Sequence, residues 1–507
     1  MTASAQAPDP DRAHPERIAY ALVLLGALFI LAFAIGVFAG ARGDDLIQLL
    51  LALVTTAVAL LPLILDQGRR PSERHVVLST FSIVFIIGFV LPVLVIFMPA
   101  EGPVDAPSFG YSLLRPADVI RGQLATLLGL FSLLIGYAIP VGMFMPFMPR
   151  IRNDWSPTAA LGVAVLMIPF GWLVSAITMT GLVKFSAASG FWSVLASSSQ
   201  YGIALAAIVY VRHRSRIAFA ILAVVVPITS FLALFTGSKY AVLIPWAMVV
   251  LSTILVQRRI AARWIVLAVF ATALVYPVGM FVRQDILAGN TLSPVTALRQ
   301  PVATLGRMAG FVTGSQPLDY LEEGLISTVA RMDCIGAASV LIRDTPRVSP
   351  FQHGRTLGLF FVAFIPRVIW PGKPIITIGQ WFTDTYGSGP EIESSTAPSQ
   401  LGEFFINFGY PGIIGGMLIT GILLRLFHEA LLTRRPTTPG LLAGVVVLLY
   451  MGTGFQGNLA ACWATMTMSI MPIIVAHMLV VKLLPGGRAS DPNRKAAQAH
   501  RRGVAAT

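Results

Sequence analysis

Val-Val-Leu-Ser-Thr-Phe-Ser-Ile-Val-Phe-Ile-Ile-Gly-Phe-Val-Leu-Pro-Val-Leu-Val-Ile-Phe-Met, residues 76–98, contains no charged side chain. About 20 apolar residues in a helix cover the hydrocarbon core of a bilayer, and this run is long enough. Similar runs recur near 18–39, 46–65, 123–147, 159–178, 196–211, 217–235, 240–256, 264–281, 404–426, 438–455 and 461–484. Apolar residues make up 56% of the 507 and charged ones only 12%, so the chain reads as an integral membrane protein. A segment inside lipid must satisfy its own backbone polar groups, and the period-2 alternation of barrel strands is missing, so the runs are helices. The fold class is all-α, a polytopic bundle of about twelve spans.

Orientation follows from the basic connections. Segments 12–17, 69–74, 150–152, 212–216, 258–263, 425–435 and 482–502 hold most of the 36 Lys and Arg residues. The short connections opposite them hold only Arg42, Arg115, Arg121, Lys184 and Lys239. Both termini are therefore expected in the cytoplasm of a bacterial-type inner (plasma) membrane, with 282–403 outside. The expected division is a tail at 1–17, nine spans within 18–281, an outer loop at 282–403, three spans within 404–484 and a disordered basic tail at 485–507. The first run is expected to stay in place, because it is too long and lacks a cleavage signature for a removed signal peptide. The net charge of +13 then reflects topology and attraction to anionic lipid, and nucleic acid need not be invoked.

A structureless stretch as long as 282–403 is unusual, so it should carry its own elements. Leu318, Leu321, Leu325, Ile326, Val329, Ile335, Val340 and Leu341 suggest an amphipathic helix or two short ones within 318–343. The apolar run 357–370 is too short to span and reads as a re-entrant or interfacial piece that sets Trp370 at headgroup level. Charge is segregated. Arg343, Arg347, Arg355, Arg367 and Lys373 face one acid, Asp344, whereas 384–403 holds Asp384, Glu391, Glu393 and Glu403 and no cation. Cations beside a diphosphate bind it and stabilise its departure, and a carboxylate can accept the proton of an attacking hydroxyl. The plainer alternative is a solvated loop whose charges pair with one another. Glu403 and Asn407, four apart, share a helix face and serve either a site or a helix cap. Arg367 and Lys373 are phosphate ligands or snorkelling anchors. Arg331 with Asp333 reads as a local pair, Arg283, Gln284 and Asp285 as interfacial anchors, and Gln456 and Asn458 as sugar contacts or helix ends. The scattered histidines and the two cysteines, Cys334 and Cys462, offer no metal spacing, so no metal and no cofactor are expected.

Three elements resemble a known family: Gly354-Arg355-Thr356, the run Ile365 to Pro374 ending Trp-Pro-Gly-Lys-Pro, and Ser399, Gly402, Glu403, Asn407, Gly409 and Gly412 entering the next span. With Thr236-Gly237-Ser238-Lys239 they are similar to the O-antigen (Wzy-type) polysaccharide repeat-unit polymerases of bacterial envelopes. The resemblance implies a GT-C-like polymerase or ligase architecture with a large outer catalytic loop. It implies a glycosyltransferase that joins undecaprenyl-diphosphate-linked oligosaccharides, a chain-length regulator and a flippase being further partners beside the bilayer. Family members depend on outer-loop arginines, which here match Arg343, Arg355 and Arg367. The expected site is Glu403 and Arg367 as catalytic residues, with Arg343, Arg355, Lys373, Lys239, Trp370 and Asn407 binding diphosphate and sugar. An O-antigen ligase or a polyprenyl-phosphate-sugar-dependent transferase is the nearest alternative. A lipid-glycan flippase is the rival of another class, although no two-half repeat is visible.

Overall fold

The computed structural model describes residues 43–95, 114–147, 151, 153–179, 189–234, 239–261, 263–264, 266, 332–365, 369–370, 372–373, 378–387, 397–432, 436–455 and 457–483. Within these residues the chain is helical, with no strand. The helices are α1 (Gly43–Gln67), α2 (Val76–Phe89), α3 (Leu91–Val95), α4 (Pro116–Ala138), α5 (Pro157–Met179), α6 (Ser189–Ala196), α7 (Ser198–His213), α8 (Arg216–Leu234) and α9 (Lys239–Gln257). They continue with α10 (Cys334–Asp344), α11 (Arg355–Ala363), α12 (Ile378–Tyr386), α13 (Ser399–Leu431), α14 (Thr438–Gly454) and α15 (Leu459–Leu483). Among the described residues, nine helices are long and apolar enough to cross a membrane, and Thr438–Gly454 is a shorter apolar one. Exposed Leu166, Leu173, Ile135, Phe219 and Val224 supply the apolar outer surface that lipid requires. The chain is thus a multi-pass helical membrane protein. Expected spans 18–39 and, almost entirely, 264–281 lie outside the described residues.

Local chemistry moves some boundaries. The span expected at 123–147 starts at Pro116, because Pro at the first helical position sacrifices no hydrogen bond and the Asp118 carboxylate accepts the Arg115 N–H at 3.3 Å. It stops at Ala138, before Pro140, and a 3₁₀ turn over Gly142–Phe147 follows. The span expected at 404–426 runs on to Leu431, but its helix is broken at Gly409 and the part before the break, which holds Glu403, folds back along the part after it, with Gln400 Nε2 donating to Thr420 Oγ1 at 2.9 Å.

The central packing is built on small residues. Gly122, Gly129 and Gly136 recur every seven residues along α4 and so form one stripe. The side chains of Leu401, Ile413 and Met417 of α13 fill the space over Gly129, the Leu418 carbonyl lies against Gly136, and Ser339 of α10 lies against Gly122. Close backbone approach of this kind replaces the hydrophobic drive that lipid abolishes between spans. The helix α7 is sealed from Tyr201 to Val209 and packs on α5, α8 and α9. Of the one amphipathic helix or two short ones expected within 318–343, the described residues contain the short helix α10; its Cys334 to Leu341 are all buried, and it packs within the bundle against α4 and α13. The earlier part of that prediction lies outside the described residues.

The helix ends sort into two groups. At one end Arg74 donates to the Arg258 carbonyl at 3.1 Å and Arg258 to the Leu432 carbonyl at 2.6 Å. Arg212 pairs there with Asp154 at 3.2 Å, and the same carboxylate caps Thr438 of α14 at 2.6 Å. At the other end the Gln400 N–H reaches the Phe455 carbonyl at 3.0 Å, beside the starts of α10 and α11. The arginine-rich connections therefore meet one another, as the charge count expects of one face.

Candidate active site

The site is organised by a break in α13. Gly409 has φ 65° and ψ −149°, a region open in practice to glycine alone. Two residues on, Pro411 has no N–H to offer the Asn407 carbonyl four residues back. The carbonyls of Ile406 and Asn407 are consequently taken by another segment: the Gln352 N–H donates to Ile406 at 2.8 Å and the His353 N–H to Asn407 at 3.2 Å. His353 and Gly354 then turn through positive φ, 45° and 86°, and send the chain into α11. The Asn407 side chain locks that turn. Its Oδ1 accepts the Gly354 N–H at 2.8 Å, and its Nδ2 donates to Thr356 Oγ1 at 2.6 Å and to the Glu403 carbonyl at 2.7 Å.

Glu403 lies one turn earlier and is wholly enclosed. Its Oε2 accepts the N–H of Leu459, the first residue of α15, at 2.7 Å, and the Thr356 hydroxyl also lies against the carboxyl group. A carboxylate at a helix start satisfies an orphan donor and meets the positive end of the helix dipole. The alternative expected for Glu403 was a cap on its own helix start; it caps α15 instead.

Arg355 is exposed, as is Arg347, and it is carried on the first turn of α11 directly after the locked bend. Arg343 is forked onto its neighbour Asp344 at 3.0 and 2.7 Å, and Arg347 reaches the same carboxylate at 2.9 Å. Burial pushes the Asp344 carboxyl up, but the two arginines outweigh it and hold it below its ordinary range. Lys373 donates to the carbonyls of Ala363 and Ile365 at 2.7 and 2.9 Å and so closes the end of α11. Trp370, Phe361, Phe364 and Ile369 are exposed around it and form an apolar fringe. Lys239 opens α9, but its side chain lies outside the described residues, as do Arg283, Gln284, Asp285, Arg331, Arg367, Glu391, Glu393 and Gln456.

The remaining singled-out residues serve the scaffold. Asp333 accepts the Gly336 N–H at 2.7 Å and caps α10, and burial pushes its carboxyl up to about 7. Asn458 caps α15 through the Ala461 N–H at 3.2 Å. Cys334 and Cys462 are both free thiols. Asn407, Glu403 and the Gly354-Arg355-Thr356 turn, widely separated in sequence, thus form one joint, whereas Arg343 and Lys373 are engaged in local bonds. Sequence reasoning missed Gln352 and Pro411. The latter had a legible signal, Gly409-Tyr410-Pro411 inside an apolar run, the mark of a discontinuous span. Chemically, the joint fixes the backbone that carries exposed Arg355, and α11 ends at an exposed apolar fringe, a combination of cation and apolar surface that suits an anionic headgroup on a lipid tail.

No curated protein and no solved structure matches the chain. A protein-family model described as a domain of unknown function (DUF8712) matches residues 115–430, from the turn before α4 to the end of α13. That match takes in the glycine stripe, α10, the locked bend and the broken helix, and the chain belongs to this DUF8712 family.

Proposed function

We propose that the protein is a membrane glycosyltransferase that polymerises undecaprenyl-diphosphate-linked repeat units at the outer face of the inner membrane. In that reaction a sugar hydroxyl of one unit attacks the anomeric carbon of another. The new glycosidic C–O bond forms as the bond to the diphosphate breaks, undecaprenyl diphosphate leaves with the bonding pair, and the hydroxyl proton goes to a base. The observation that carries the reading is the bend at 352–356, braced by Asn407 and by carbonyls that the break in α13 releases. It fixes the backbone from which exposed Arg355 projects, at the end of the bundle opposite the arginine-rich connections. A cation carried on a rigid backbone stabilises charge gathering on a leaving diphosphate with less reorganisation than one carried on a mobile loop. Exposed Trp370 and Phe361 suit contact with the first isoprene units. Glu403, enclosed and capping α15, is assigned a positioning role.

The test is the lipid-linked glycan of a deletion strain carrying either the wild-type chain or Arg355→Ala. Single repeat units accumulating on the outer leaflet, with the variant inserted normally, are the expected result. Long chains left unattached in the deletion strain point instead to a ligase, and units trapped inside to a flippase. Normal chain growth by Arg355→Ala removes that residue from the site.

A further inference from the structure

The arginine-rich end holds a cluster of titratable side chains that the proposed glycosyl transfer does not use. His75, immediately before α2, directs Nδ1 at two groups: the Tyr137 hydroxyl of α4 at 3.1 Å and Arg425 Nη1 of α13 at 3.2 Å. Arg425 also stands over the Tyr137 ring, 5.5 Å from its centre, and pairs with Glu429 at 2.8 Å. The His428 ring lies 5.0 Å from that of His75, and its buried Nδ1 has no hydrogen-bond partner among the described residues. One guanidinium thus ties the end of α13 to the start of α2 and the end of α4.

Donor and acceptor roles here follow from the chemistry of the groups. A guanidinium offers only donors and keeps its proton. The Arg425 contact therefore requires a bare Nδ1 on His75, so the proton of the neutral ring sits on Nε2 and the Tyr137 hydroxyl donates as well. Protonating Nδ1 would turn the acceptor into a donor and set an imidazolium against the guanidinium, where like charges repel. The surroundings add to that opposition, since Arg69, just past α1, and Arg258, near His428, are both cations. Among the described residues, the acid facing His75 is Asp66. Its Oδ1 already accepts the His75 backbone N–H at 2.9 Å and Arg69 at 3.4 Å, and its Oδ2 accepts the Ser79 hydroxyl at 2.7 Å. Burial, with Arg425 and then Arg69 behind it, pushes the His75 imidazole down to about 4. His75 is only half-buried, so a proton from solution at this end reaches it without crossing the bundle.

We propose that Arg425 and His75 form an acid-released latch between α13 and the ends of α2 and α4. At neutral pH the bare Nδ1 accepts Arg425 and holds the helix end in place. A proton taken from solution onto Nδ1 removes the acceptor, leaves Arg425 to Glu429 and frees the end of α13. The latch acts at the end of the bundle opposite the bend and is independent of the proposed glycosyl transfer.

The experiment uses the full chain, labelled with nitrogen-15 at histidine, in phosphatidylcholine nanodiscs. The pH is lowered from about 7.5 to about 3.5, a window that spans the ordinary and the displaced histidine ranges. Both readouts are local, because Asp333 at the other end responds to acid in the opposite sense and a global melting curve would mix the two. One is the His75 imidazole signal in nuclear magnetic resonance, assigned by its loss in His75→Gln. The other is amide hydrogen exchange at the start of α2 and the end of α13, corrected for the intrinsic pH dependence of exchange. The expected result is a His75 signal that titrates near 4 instead of 6.5, with protection at both helix ends lost in step. Gln at 75 offers Arg425 an acceptor that does not titrate, so His75→Gln should keep that protection in acid. Arg425→Gln removes the opposing cation and should raise the His75 midpoint by about one unit, a result that decides the matter even if His75→Gln fails to fold. A His75 midpoint unmoved by Arg425→Gln overturns the proposal, as does acid loss of protection that is equal in wild type and in folded His75→Gln.

Discussion

At the scale of single residues, the contrast between Glu403 and Arg355 is the informative one. Both stand in the sequence as candidates, yet one is sealed against the start of α15 and the other is exposed on α11. Glu403→Gln keeps an acceptor for the Leu459 N–H, so thermal stability and chain growth should stay near wild type. Glu403→Ala strands that buried donor and should cost about 1–3 kcal/mol, read as a lowered thermal midpoint. Loss of growth by Glu403→Gln at unchanged stability would make the carboxylate a participant in the chemistry. Asp333 gives a pH prediction. Its folded pKa is raised to about 7, so between about 4 and about 7 the folded chain holds a proton that the unfolded chain has released. Stability should therefore fall as pH rises through that window. Asp333→Asn keeps the Oδ1 cap and should flatten this part of the midpoint-versus-pH curve; an unchanged slope contradicts the assignment. The i,i+4 relation of Glu403 and Asn407 was legible because it is local. The Leu459 partner was not, since two helix ends meet only through the tertiary fold. The Arg343–Asp344 fork could have been read from adjacent residues, and it competes with the phosphate role that the resemblance implies for Arg343.

At the scale of elements, the break in α13 and the segment that fills it form one unit. The apolar run beyond 403 revealed a span, but hydrophobicity is insensitive to backbone direction, so the reversal at Gly409 left no trace in it. The glycine and the proline two residues later are its only marks. A Cβ at Gly409 would stand in open contact distance of Phe351 at 3.5 Å, so crowding is minor and the penalty is conformational. Gly409→Ala should destabilise by on the order of 1–3 kcal/mol and weaken protection of the Gln352 and His353 amides in hydrogen exchange. Protection equal to wild type at those two amides would separate the bend from the break. Of the stretch 318–343 the short helix α10 is described, but the burial of Cys334 to Leu341 was not legible, because an apolar stripe cannot be told from a fully apolar surround when small residues such as Ala337, Ala338 and Ser339 fill the remaining faces.

At the scale of the whole molecule, the helical class and the nine spans found among the described residues were legible because bilayer thickness fixes helix length, whereas the contacts between spans follow from shape. The stripe Gly122, Gly129, Gly136 is visible in the sequence, but its partner helix is not. Gly136→Leu should push α13 off α4 and lower the thermal midpoint sharply, since the Leu418 carbonyl occupies the added atoms' place and overpacking costs about 1–3 kcal/mol or more. The sorted helix ends leave one arginine-rich face and one face bearing the bend, and the account gives chain elongation to the latter. Its most direct test is reconstitution of the purified chain with undecaprenyl-diphosphate-linked repeat units as the sole substrate. The account predicts a ladder of lengthened lipid-linked glycans with one undecaprenyl diphosphate released per bond made, and no ladder from Arg355→Ala. Intact substrate and no released carrier in the presence of the folded wild-type chain would contradict it.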